Sequence, residues 1–142
     1  MLAFKLAKAT LEPATIASAA GDIARLAPPM FGHVAAVTVV PCGHSRRPDC
    51  FGWRLGAAVA DRLGVPFHDA WAHRPMTGSS HPTRFRYLPP LDRTSDLAAA
   101  RGLVLVVDDL ATSGFHMAEA LADARAQGAA AAGVSWIYGT VT

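Results

Sequence analysis

Leu103 to Phe115, LVLVVDDLATSGF, constrains this chain more than any other stretch. Leu103, Val104, Leu105, Val106 and Val107 form a continuous apolar run, where a half-exposed strand would alternate apolar with polar residues. Such a run suits a parallel strand covered on both faces, so the surrounding chain is committed to helices flanking a sheet. Asp108 and Asp109 fall at the carboxyl end of that strand. Ala111, Thr112, Ser113 and Gly114 follow, and from Phe115 to Gln127 the apolar spacing is helical. The small residues therefore sit at a helix N-terminus, where N–H groups without intrahelical acceptors and the positive end of the dipole favour an anion.

The residue types add chemistry to that placement. The Thr112 and Ser113 hydroxyls can hold a phosphate, Gly114 lets the backbone approach closely, and two adjacent carboxylates can accept hydrogen bonds from vicinal hydroxyls. Phosphate beside a diol suggests a ribose 5-phosphate. On these residues the stretch resembles the signature of the type I phosphoribosyltransferases. Their loop usually ends in a hydroxyl residue two positions after the glycine, and here that position is His116. VLVVDD also resembles the opening of a response-regulator receiver, whose paired acids bind magnesium. A receiver needs roughly a hundred further residues, and 33 follow Asp109. An acidic helix cap without chemistry is the plainest alternative.

A length of 142 residues is one domain's worth and enough to bury a sizeable core. A net charge of +2 with 17% charged residues gives no bulk-charge argument for nucleic-acid binding. No apolar stretch approaches the roughly 18 residues of a membrane span. Lys5, Lys8 and Glu12 interrupt what would be the apolar core of a signal peptide, so the N-terminus reads as mature sequence of a cytoplasmic protein. Cys42 and Cys50 flank His44, but a closed zinc site needs about four ligands and the other histidines are scattered.

Taken in order, residues 1–12 carry little signal beyond a short strand or helix at the edge. From Pro13, Ile16, Ala19, Ala20, Ile23 and Leu26 recur at helical spacing, and Pro28 and Pro29 are expected to end that helix. Val34 to Val40 is a second buried strand, running into the loop PCGHSRRPDC, whose Arg46 and Arg47 can face an anion at the sheet's carboxyl edge. Phe51 to Leu63 reads as a helix closed by Gly64, Val65 to His68 as a short strand, and Val134 to Tyr138 as the last strand. Asp69 to Asp96 has no sustained period, as a lid loop would have none.

A second, narrower resemblance rests on SRRPDCFGWRLGAAVADRLGVP. It is similar to the ComF-type subgroup, where a strand ending in proline precedes an arginine-containing loop, a Gly-Phe-Asn-Gln element and a helix ending in Leu-Gly. Phe51 and the helix match; Cys50, Gly52 and Trp53 stand where that element has Gly, Asn and Gln. Together the resemblances imply a single α/β domain over residues 1–142, with a doubly wound, mostly parallel sheet of about four strands and helices on both faces. Its core would span 34–138, residues 1–33 would be an N-terminal helical or edge region, residues 69–96 a flexible lid, and the hood would be small or absent.

The implied activity belongs to nucleotide metabolism: transfer of ribose 5-phosphate from phosphoribosyl pyrophosphate, with Mg2+, to a nitrogenous acceptor, releasing pyrophosphate. Ala111, Thr112, Ser113, Gly114 and Phe115 would bind the 5-phosphate. Asp108 and Asp109 would hold the ribose hydroxyls directly or through magnesium, and Cys42, Gly43, His44, Ser45, Arg46 and Arg47 would hold the pyrophosphate. Arg84 or Arg86, from the lid, would add a contact to the leaving group. A homodimer is the expected assembly. The alternatives are a non-catalytic, ComF-like binder of phosphoribosyl pyrophosphate linked to DNA uptake or regulation, and another nucleotide- or phosphate-binding α/β protein.

Overall fold

The structure, a computed structural model, describes residues 2–41, 50–74, 90–111 and 113–138. Its centre is β2 (Leu103–Ala111), the middle strand of a parallel sheet whose other members are β1 (Val34–Val39) and β3 (Ala130–Tyr138), in the order β1-β2-β3. Val37 lies beside Leu105 in β2, and β2 pairs with β3 from Leu103 opposite Ala130 to Ala111 opposite Tyr138. The helices are α1 (Leu2–Thr10), α2 (Pro13–Phe31), α3 (Phe51–Leu63) and α4 (Phe115–Ala126). None of the described helices is long and apolar enough to cross a membrane.

The continuous apolar run of β2 is explained by cover on both faces. Leu105 and Val107 join Ile16, Ala20 and Ile23 of α2 and Phe51, Leu55 and Val59 of α3 in one buried cluster. Val104 and Val106 join Ala120 and Ala124 of α4, with Trp71 and Leu97, in the other. This is the expected α/β architecture with helices on both faces. Gly64, at φ +67°, closes α3, and its N–H donates back to Ala60 and Asp61. The close approach of α3 to the sheet passes through Gly56, where an added Cβ would overlap Val39 Cγ1.

Four expectations are corrected. The strand over 65–68 shrinks to one parallel bridge between Phe67 and Val37, because Pro66 has no N–H to extend the ladder. Helix α2 continues through Pro28 and Pro29 to Phe31. Their fixed φ is helical, and the lost N–H donors fall in an exposed last turn, which ends where Gly32 N–H donates to Pro28 O at 2.8 Å. Strand β3 begins at Ala130, four residues before Val134. Its small residues let α4 lie close, since a Cβ on Gly133 would stand 2.5 Å from Met117 Sδ.

The fourth correction concerns the segment 69–96, which is not periodless throughout. Trp71 and Arg93 form an antiparallel bridge, with Ala72 N–H donating to Asp92 O (2.7 Å) and Thr94 N–H to Ala70 O (2.9 Å). The two ends of the expected lid are thus paired as a short ribbon. Residues 75–89, and with them Arg84 and Arg86, lie outside the described residues.

Candidate functional site

Strand β2 runs four residues past Val107, because β3 continues beside it, so both aspartates lie inside the strand. Strict alternation would send them to opposite faces, but the two carboxyls stay within hydrogen-bonding reach of each other. Asp109 is 7% exposed; Asp108 is half-buried, opposite Ser135 in register. Helix α1 reaches Asp109 through Lys8. Its Phe4 ring packs edge-on to Phe51 at 5.7 Å and against Trp136 at 5.9 Å, and its Lys8 Nζ meets Asp109 Oδ2 at 2.5 Å.

These surroundings set the protonation of the pair. Burial, the Asp109 charge and a hydrogen bond shared with Asp109 push the Asp108 carboxyl up to about 7, while the Lys8 ammonium pulls the other way. Two carboxyls thus lie near one ammonium, and the Asp108 carboxyl takes up a proton near neutrality. Such a pair suits ribose hydroxyls, and equally a divalent cation. Magnesium binds through one or two carboxylates plus substrate phosphates and keeps several waters, so two carboxylates are enough. Among the described residues no group of three His, Cys, Asp or Glu side chains forms a denser metal site.

The elevated Asp108 carboxyl has a consequence for stability. Between its ordinary value of 3.8 and about 7, the folded chain holds a proton that the unfolded chain has released. The stabilisation from this group is therefore complete below pH 4 or so and is lost as pH rises through about 7. In chelator, Asp108→Asn is expected to unfold at higher urea than wild type at pH 8, with a gap that narrows steadily as pH falls below 7 and closes only near pH 4. A gap that does not change with pH would remove the assignment.

Beyond the acids, Ser113 and Gly114 form the turn into α4. Gly114 adopts φ +74° at the N-cap, a left-handed conformation that glycine adopts without a Cβ penalty. Ser113 Oγ accepts from Phe115 N–H at 3.3 Å, and Gly114 O accepts from Ala118 N–H at 2.9 Å. Phe115 is 44% exposed, so the turn opens to solvent at the carboxyl edge of the sheet. Asp108, Asp109, Ala111, Ser113, Gly114 and Phe115 are thereby placed along one continuous edge. Thr112, Cys42, Gly43, His44, Ser45, Arg46 and Arg47 lie outside the described residues.

Helix α4 also ties down the ribbon. Arg74, 5% exposed, makes a two-pronged contact with Glu119 at 2.9 and 2.8 Å, and His116 Nδ1 stands 3.9 Å from the same carboxylate. One turn on, Asp123 accepts from Trp71 Nε1 (2.7 Å), from Arg93 Nη2 (2.7 Å) and from Gln127 (2.9 Å). These donors, Arg93 first, hold the Asp123 carboxyl below its usual range. Both ends of the segment 75–89 are therefore clamped to the helix that begins at the anion turn.

No protein-family model matches the chain, and no curated protein matches it at a significant level. Solved structures do match. The orotate phosphoribosyltransferase of Aeropyrum pernix superposes with a TM-score of 0.55 at 20% identity, over 87% of this chain and 59% of that one. The chain has a phosphoribosyltransferase fold. The adenine phosphoribosyltransferase of Leishmania donovani gives a TM-score of 0.55 at 16% identity, covering 91% and 55%, and that of Leishmania tarentolae 0.53 at 18%, covering 89% and 58%. The chain thus spans less than three fifths of each of these proteins.

On this phosphoribosyltransferase fold, the structure brings together more than the motif announces. Sequence reasoning missed Lys8, Arg74, Glu119 and Asp123. A lysine in a nine-residue helix carries no pattern that links it to position 109. Glu119 and Asp123, four apart on α4, present one polar face; that spacing was visible, but their arginine partners came from a segment without periodicity.

Proposed function

We propose that the chain is a phosphoribosyltransferase, transferring ribose 5-phosphate from phosphoribosyl pyrophosphate to a nitrogen acceptor. The observation that carries this reading is the pair Asp108 and Asp109 on the central strand, upstream of the Gly114 turn into α4, on a sheet of this fold. Phosphate at the turn and a diol at the acids are one ribose 5-phosphate apart in chemistry. The donor's C1–O bond to pyrophosphate breaks, a C1–N bond to the acceptor forms, and the acceptor's nitrogen proton is released.

Each group has a role set by charge. Positive charge grows on the ribose ring as the bond breaks, and the Asp108 and Asp109 carboxyls would stabilise it. The turn from Ala111 to Phe115 would anchor the 5-phosphate, and Arg46, Arg47 and Arg84 or Arg86 would meet the departing pyrophosphate. Magnesium, held by Asp108 and Asp109, would offset charge on the donor's oxygens. Clamping of residues 74 and 93 to α4 would fix the roots of a segment able to exclude water during transfer.

Calorimetry with phosphoribosyl pyrophosphate and magnesium tests the donor half: binding is expected, and its absence would overturn the reading. A pyrophosphate-release assay over purine, pyrimidine and other nitrogen acceptors tests the transfer. Release with one acceptor class is the expected result. Binding with silence across the whole panel would instead identify a non-catalytic binder of the ComF-like kind.

A further inference from the structure

Among the described residues, Lys8 is the cation that the structure sets on the acid pair, and the two partners of that contact are unequally buried. The Asp109 side chain is 9% exposed and the Lys8 side chain 40%. A carboxylate that deep needs a counter-charge at all times, because leaving it buried and unpaired costs far more than the pair contributes. An ammonium at the end of a half-exposed stem has no such need. It can swing into water while the stem stays on the surface.

The helix that carries Lys8 can remain in place during such a swing. Phe4, packed on Phe51 and Trp136, and buried Ala7 anchor α1 independently of the ion pair. We propose that Lys8 is a resident counter-cation of the acid pair, occupying Asp109 until a divalent cation displaces its ammonium from the carboxylate. The inference takes the divalent cation from the proposed function and adds a competition inside the chain. Its consequence is a weakened affinity for the cation alone, because the cation must displace a positive charge already in place.

Manganese alone, followed by calorimetry and by thermal unfolding, provides the test. Lys8→Met and Lys8→Gln are expected to bind Mn2+ roughly fivefold more tightly than wild type, the upper range for a partly exposed ion pair. They should also gain more thermal stability from the metal. Lys8→Arg, which keeps the charge, should gain less than either. Unfolding curves without metal verify that each variant is folded, and the glutamine variant retains a hydrogen-bonding group at Asp109 where methionine does not.

Equal or weaker Mn2+ binding by folded Lys8→Met and Lys8→Gln would overturn the assignment. A parallel titration with phosphoribosyl pyrophosphate separates the two readings. Tighter Mn2+ binding in the variants without any binding of phosphoribosyl pyrophosphate by any protein keeps Lys8 as counter-cation and removes the transferase. Binding of phosphoribosyl pyrophosphate with no gain for Mn2+ does the reverse.

Discussion

Replacing both acids, Asp108→Asn with Asp109→Asn, is expected to lower affinity for phosphoribosyl pyrophosphate in magnesium by about 10²- to 10³-fold. The size follows from two lost charge-assisted contacts at roughly 1.5–3 kcal/mol each, discounted for incomplete additivity. Asparagine keeps the shape and one acceptor oxygen, so the strand should still fold; what disappears is negative charge facing ribose hydroxyls and the cation. The two single variants should differ. Asp109→Asn neutralises the carboxylate that the Lys8 ammonium contacts, adding a repulsion towards magnesium that Asp108→Asn, which keeps that contact, does not create. Asp109→Asn should therefore be the weaker binder of the metal complex. Weak binding of inorganic phosphate at the Gly114 turn should survive in the double variant. Unchanged binding of phosphoribosyl pyrophosphate would sink the assignment of the acids, and loss of phosphate binding as well would show a fold defect.

What could be read before the structure, and what could not, divides along local against tertiary causes. β2, α3 and α4 were legible because apolar spacing marks their faces, Gly64 marks the end of α3 and Gly114 the start of α4. The alanine run at 130–132 was not legible as strand, because alanine has little strand preference and only the pairing with Leu103 to Leu105 places it. Pro28 and Pro29 signal a break, yet in an exposed final turn the lost hydrogen bonds cost little. The acids were found as a pair, but the raised Asp108 carboxyl was not, since it is raised by burial and by a neighbour whose own counter-ion comes from 101 residues away. Sequence adjacency reported the two acids; the fold sets the burial and the neighbours that hold the proton on Asp108.

Gly56→Ala is expected to destabilise the protein by about 2 kcal/mol, against the sign that helix propensity alone would give. Alanine in a helix interior is favoured over glycine by about 1 kcal/mol. At Gly56, however, the new Cβ would overlap Val39 Cγ1 and stand 3.0 Å from Phe67 Cε2. Val39 cannot yield easily, because β1 is paired there with Val107 of the central strand, and Phe67 is held by the bridge to Val37. The helix must move instead, at the 1–3 kcal/mol or more typical of overpacking. Gly52, in the first turn of the same helix, provides the control: a Cβ there meets nothing within 4 Å, so Gly52→Ala should be neutral or stabilising. In thermal unfolding the two variants should separate by roughly 5–10 °C for a domain of this size. Movement of α3 also shifts Phe51, the ring on which Phe4 rests, so Gly56→Ala should loosen α1 and weaken the Lys8 contact with Asp109. Equal stability of the two alanine variants would mean that α3 does not lie against β1 as closely as described, and the route from the core to the acid pair would fail with it.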